Sequence, residues 1–231
     1  MKRALKRFLE RLKRDRETMK RLDKMKKIEF VWDYYKVPIA IVAFLVFVLV
    51  SITVSAIGRG GNIIYVAMVN TDTEPGSDNN GKAVIEEILS ENGYDMTKKK
   101  ASVDSNYTLS FDNATDSDIA TLQVLSALFG IGDLDLFVSD KEVFDKFAVK
   151  NGFSDLRAFI STDILSANED KIYYFEKENG ESVPVAIILE EGSALHKEGL
   201  YSGTVYAGIV SRAENADTAA DIIKSLLIVQ N

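Results

Sequence analysis

The chain has 231 residues, no cysteine and one histidine, with 28 Lys and Arg against 35 Asp and Glu for a formal net charge of −7. The missing cysteines exclude disulfides, thiol catalysis and thiolate-bound metals, and the single histidine excludes histidine-pair metal sites. The net charge conceals two parts of opposite sign: residues 1–36 hold 14 basic against 6 acidic side chains, and residues 60–231 hold 13 against 29, a balance that argues against nucleic acid as a partner.

From Lys2 to Glu29 apolar residues recur at Leu5, Phe8, Leu9 and Leu12, and again at Met19, Leu22, Met25 and Ile28. Steps of three and four put each group on one face of a helix, with basic residues over the rest. Asp15, Arg16 and Glu17 interrupt the stripe, so it is no continuous heptad seam. Two readings stand: a helix lying on the anionic inner leaflet, or one packing on a cytoplasmic partner or on itself.

Phe30, Trp32, Tyr34 and Tyr35 come just before Lys36, and the uncharged run VPIAIVAFLVFVLVSITVSAIG follows from Val37 to Gly58, closed by Arg59. As a helix these 22 residues cover about 33 Å, enough to cross a hydrocarbon core. The aromatic residues, with Lys36 and Arg59, are expected at the membrane interface, and the positive flank places the N-terminus in the cytoplasm. The run is too long for a signal-peptide core and follows a long charged segment, so an uncleaved anchor is expected. The predicted organisation is a basic cytoplasmic helix (1–36), a transmembrane helix (37–58) and an extracytoplasmic domain (59–231). A cysteine-free outer domain suits a bacterial cell surface.

Within the outer domain Ile63–Asn70 predicts a buried strand, and Lys82–Asn92 a helix with Val84, Ile85, Ile88 and Leu89 inward, stopped by Gly93. Tyr107–Phe111 predicts a short strand. Thr115-Asp116-Ser117-Asp118 has the form of a capping box, followed by Ile119, Leu122, Leu125, Leu128 and Phe129 on one helical face and by Gly130 and Gly132 as stops. Leu134–Val138 predicts a strand, Ser139–Glu142 a second capping box, and Val143, Phe144 and Phe147 the inner face of the helix it starts. A helical stretch with Leu156, Phe159 and Ile160 follows Asn151-Gly152. Strands are predicted over Ile172–Glu176, Val183–Leu189 and Val205–Ser211, the first two joined through Asn179-Gly180, and a last helix over Asn215–Leu227. This alternation predicts an α/β fold, a single three-layer lobe with at least four strands.

Catalytic motifs are sparse. His196 sits in GSALHKEGLY without the Gly-x-Ser-x-Gly elbow, and no phosphate-cradling glycine motif occurs. Asp112, Asp116 and Asp118, like Asp72, Glu74 and Asp78, depart from the calcium-loop rule and read as solvated and helix-start acids. Open α/β sheets bind ligands at the carboxyl ends of their strands, which points to Asn70 and Thr71 after the first strand and to Ser139 and Asp140 after the third. Ser139 also reads as a helix cap and Asn70 as a turn residue.

The segment LQVLSALFGIGDLDLFVSDKEVFDKFAVKNGFSDLRAFI, from Leu122 to Ile160, resembles one lobe of the extracellular (type II) solute-binding proteins of bacterial ABC importers. In that family a helix leads through a small turn into an aspartate-led strand, and the next helix ends in a glycine before a short helix opening with Asp-Leu. Asp135, Gly152, Asp155 and Leu156 match those places. The end of the chain, PVAII at Pro184–Ile188 and YAGIVSRAENADTAADIIKSLL at Tyr206–Leu227, is similar to the family's closing strand, polar turn and final helix, where an alanine such as Ala219 or Ala220 packs on the sheet. The family traps its ligand between two lobes. Here Ile160 and Pro184 are separated by 23 residues, too few for a second lobe.

A periplasmic-binding-protein-like lobe on a membrane anchor implies a non-enzymatic interaction module that binds a protein or peptide in the envelope, as an accessory of a transporter or envelope complex. The alternative is an anchored lobe capturing a small solute for an ABC importer, its cleft completed by another protein or a second copy of the chain. No cofactor and no metal are expected.

Overall fold

The computed structural model describes residues 62–229 except 75, 98, 178 and 179. The expected basic helix (1–36), the expected span (37–58) and the interface residues Trp32, Tyr34, Tyr35, Lys36 and Arg59 lie outside the described residues. Among the described residues no helix is long and apolar enough to cross a membrane.

Strand β1 (Asn62–Val69) is apolar almost throughout and is buried from Ile63 to Val69 except at Tyr65, as befits a strand covered on both faces. It pairs in parallel with β2 (Lys100–Tyr107) and β3 (Leu136–Ser139). On the far side of β3 the pairing turns antiparallel, through β6 (Val205–Ile209) and β5 (Ser182–Leu189) to β4 (Ile172–Glu176). The result is a mixed six-stranded sheet in the order β2-β1-β3-β6-β5-β4. Parallel neighbours need a crossover, and helices supply it: α1 (Lys82–Glu91) between β1 and β2, and α2 (Asp116–Ile131) between β2 and β3. After β3 come α3 (Lys141–Ala148), a 3-10 turn (Leu156–Ala158) and the short α4 (Thr162–Ala167). Helix α5 (Ala194–Lys197) interrupts the β5–β6 connection, and α6 (Ala216–Val229) follows β6.

Alternation along β1 splits the core in two, because successive side chains point to opposite faces. Ile64, Val66 and Met68 pack with Val84, Ile85, Ile88 and Leu89 of α1 and with Ala219, Ile223, Leu226 and Leu227 of α6. Ala67 and Val69 pack with Leu125 of α2 and Val143, Phe144 and Phe147 of α3. The expected α/β class and the inward faces of the first and last helices are therefore present, with a sheet covered on both sides.

Four expectations are corrected. The strand predicted over Tyr107–Phe111 instead ends at Tyr107: β2 is an edge strand of sequence KASVDSNY with only Ala101 buried, so its pattern carries little apolar signal. Ser139 is the last residue of β3, and the cap of α3 is Asp140, whose side chain accepts from the Val143 amide at 3.0 Å. Gly130 lies inside α2, and the stop is Gly132, at φ 78°. Ile119 faces outward, about half exposed, because Asp118 turns inward as the cap partner of Thr115 and only Leu125 among the helix's apolar residues is fully buried.

Candidate functional site

The carboxyl ends of β1 and β3 lie side by side, with Met68 opposite Val138. Asn70 leaves β1 in the left-handed region, at φ 56°, a conformation asparagine tolerates better than most residues. Its amide donates to Asp140 Oδ2 at 2.7 Å and to the Leu109 carbonyl at 2.8 Å, and its Oδ1 accepts from the Leu109 amide at 2.8 Å. The backbone amide of Asn70 donates to the Tyr107 carbonyl at 2.9 Å. Asn70 thereby continues the sheet pairing past the end of β2 and ties it to the start of α3. Thr71 Oγ1 lies 3.1 Å from Thr73 Oγ1 and donates to the Ser105 carbonyl at 3.3 Å. Ser139 is fully buried and donates to the Asp140 carbonyl at 3.1 Å.

Of the four residues expected at this site, the structure brings Asn70 and Asp140 into direct contact and satisfies both within the fold. What the sequence did not reveal is Tyr201, from the β5–β6 connection. Its ring is buried over the strand ends, and its hydroxyl donates between the Val69 carbonyl at 3.2 Å and the Val138 carbonyl at 3.4 Å. Burial first, then the nearby negative charges of Asp140 and Asp72, push the Tyr201 phenol well above its ordinary range, so it stays a neutral donor. The loop is held down by backbone bonding of Asp72 to Leu200 at 2.9 Å and by the Asn79 amide on the Glu198 carbonyl at 2.7 Å. The crevice in which a ligand would sit at the strand ends is thus occupied by the chain's own tyrosine.

His196 belongs to the same connection. Its Nε2 lies 2.9 Å from the Gly203 carbonyl, which can only accept, so Nε2 donates to it, and Nδ1 pairs with Ser193 Oγ at 2.6 Å. Ser193 is fully buried and caps α5, and its pairing with His196 fastens the loop. The acidic clusters do not converge: Asp118 accepts from the Ser110 and Thr115 amides and from Thr115 Oγ1. Among the described residues no group of three or more His, Asp or Glu side chains is placed to hold a metal ion.

The end of α2 borders a cavity of about 400 Å³, lined by Phe129, Phe147, Gly152, Lys150, Ser211 and Arg212 among others. Arg212 Nη1 donates to the Gly130 carbonyl at 2.7 Å, satisfying the helix end. Phe129 stacks on Phe147 with ring centroids 4.5 Å apart.

Comparison with known proteins gives no match to a family model, a curated protein or a solved structure. Asp135, Gly152 and Asp155 each have definite structural work. Asp135, almost wholly buried, accepts from the Tyr65 amide at 2.8 Å, the Asn215 amide at 2.8 Å and the Asn215 side chain at 3.1 Å, joining β1 and β3 to the turn before α6. A Cβ on Gly152 would stand 2.7 Å from the Phe147 carbonyl and 3.1 Å from the Phe129 ring. Asp155 caps the turn at Leu156, accepting from the Arg157 amide at 2.9 Å.

Proposed function

We propose that the chain is a single-pass membrane protein whose extracytoplasmic domain, similar to one lobe of a solute-binding protein, is a non-enzymatic interaction module for a protein or peptide partner in the envelope. The observation that carries this reading is Tyr201: with its hydroxyl on the Val69 and Val138 carbonyls, the strand-end crevice is filled and its polar groups are satisfied. A small-solute site needs a concave space with unsatisfied polar groups converging on it. The charge asymmetry around Val37–Gly58 supports the anchored topology.

The test is crosslinking of the full-length protein in its native membrane, followed by capture and mass spectrometry. Recovery of a permease or another envelope protein, or of a second copy of the chain, supports the module; a chain recovered only as an uncrosslinked monomer counts against it. The cavity at Phe129, Phe147, Lys150 and Arg212 favours a second reading, capture of an anionic or aromatic solute for an importer. Saturable binding of such solutes to the full-length protein, lost on Phe129→Ala, would favour that reading instead.

A further inference from the structure

Helix α2 presents an apolar face that nothing among the described residues covers. From Ile119 to Ile131 it has no charged side chain, its polar residues being Thr121, Gln123 and Ser126. On one side of it Val124 is 48 % and Ile131 64 % exposed. We propose that this face is an interface between two copies of the chain, with the two α2 helices packed antiparallel. The proposal rests on the reading of the domain as an interaction module and names its partner.

The face is complementary to itself. Ala120, Val124, Ala127 and Ile131 are all exposed and follow one another at steps of four, three and four, the spacing of a helix-packing seam. A two-fold axis between Val124 and Ala127 sets Ala120 opposite Ile131 of the second copy and Val124 opposite its Ala127. Every large side chain then meets a small one, as close packing of an isologous interface requires. Charge agrees with this orientation: exposed Asp112 and Asp116 stand at the start of the helix, and Arg212, bonded to the Gly130 carbonyl, stands at its end. Antiparallel packing carries each acidic end to the other copy's basic end and opposes the helix dipoles.

These four side chains expose well under the roughly 800 Å² that a standard interface buries on each partner. Pairing of this size is supported by confinement to a membrane, where anchoring raises the effective concentration. An anionic bilayer is the poorer occupant, since Asp112 and Asp116 stand exposed at one end of the face.

The absence of cysteine makes the test direct. Full-length chains carrying Val124→Cys, treated in their native membrane with a short bis-maleimide, are expected to give a covalent dimer with matching loss of monomer. A mixture of Ala120→Cys and Ile131→Cys chains is expected to do the same. Ile131→Cys chains alone stay monomeric, because the antiparallel pair separates these positions by about 16 Å along the axis. Tyr174→Cys, an exposed position on β4, is the negative control. Crosslinking of Ile131→Cys chains to one another, or a folded Val124→Cys chain that stays monomeric, overturns the proposal. Val124→Cys crosslinked to a different protein overturns the second-copy partner and leaves the interaction module standing. No crosslink from any position, with nothing captured from the native membrane, overturns both.

Discussion

The side-chain amide of Asn70 donates to Asp140 Oδ2 across 2.7 Å, joining two residues 70 positions apart at the ends of neighbouring strands. Asp140 Oδ1 meanwhile accepts from the Val143 amide, so one carboxylate both caps α3 and anchors the turn after β1. The residues best placed by topology to meet a ligand are spent on holding the strand ends together.

Asn70 offers a clean separation of strain from bonding. Asn70→Gly keeps the left-handed backbone at no steric cost but deletes three side-chain hydrogen bonds, and should lower stability by about 2–4 kcal/mol. Asn70→Ala should cost about 1 kcal/mol more, the left-handed penalty of a Cβ. Thermal unfolding of the full-length protein in detergent measures both; a neutral Asn70→Gly would show that the amide network contributes little.

Tyr201 should matter more for volume than for its hydroxyl. Tyr201→Phe is expected to cost about 1 kcal/mol, and Tyr201→Ala about 3–5 kcal/mol because it leaves a cavity over the strand ends. The raised phenol adds a pH signature. Its folded value lies above the ordinary 10.0, so its stabilisation is whole below pH 10 and is lost as pH rises beyond it. Melting profiles from pH 8 to 11 should fall more steeply for the native chain than for Tyr201→Phe.

Asp118 has the opposite sign. The Thr115 side chain, then the Thr115 and Ser110 amides, hold its carboxyl below the ordinary 3.8. Its stabilisation is therefore whole above that value and fades as pH falls through the lowered folded one. Asp118→Asn should flatten the acid limb of the stability profile while leaving the alkaline limb unchanged, as read by melting temperature from pH 2.5 to 7.

Two glycines at the end of α2 should respond in opposite directions. Gly130 lies inside the helix with nothing within 4 Å of an added Cβ, so Gly130→Ala should stabilise by about 0.5–1 kcal/mol. Gly132 sits at φ 78°, and a Cβ there would be 2.6 Å from the Arg212 carbonyl, so Gly132→Ala should destabilise by about 1–3 kcal/mol. Equal melting temperatures for the two variants would contradict this account of the helix stop.

The features read correctly from sequence are those whose physics is local. The Thr115–Asp118 capping box closes within four residues, and the structure shows both of its bonds. The inward face of α1 follows from periodicity at Val84, Ile85, Ile88 and Leu89. β4 falls on Ile172–Glu176 as expected. Local reasoning fails where the signal is absent or ambiguous. β2 hides because an edge strand need not be apolar. Two residues beside each other, Ser139 and Asp140, both suit a cap, and only the strand's pairing with β6 as far as Ser139 decides between them.

Residue spacing is enough to place the Val37–Gly58 apolar run between a basic and an acidic segment, the alternation of strands and helices, and the Thr115–Asp118 capping box, because each depends on residues near one another in the chain. Tertiary structure alone decided that Tyr201 would close the strand ends, since its partners Val69 and Val138 are 132 and 63 residues away and no short-range pattern encodes their meeting. It also decided that Ile119 faces water: the face predicted from spacing packs inward at Leu122, Leu125, Leu128 and Phe129, but at the first turn Asp118 turns inward as the cap partner of Thr115.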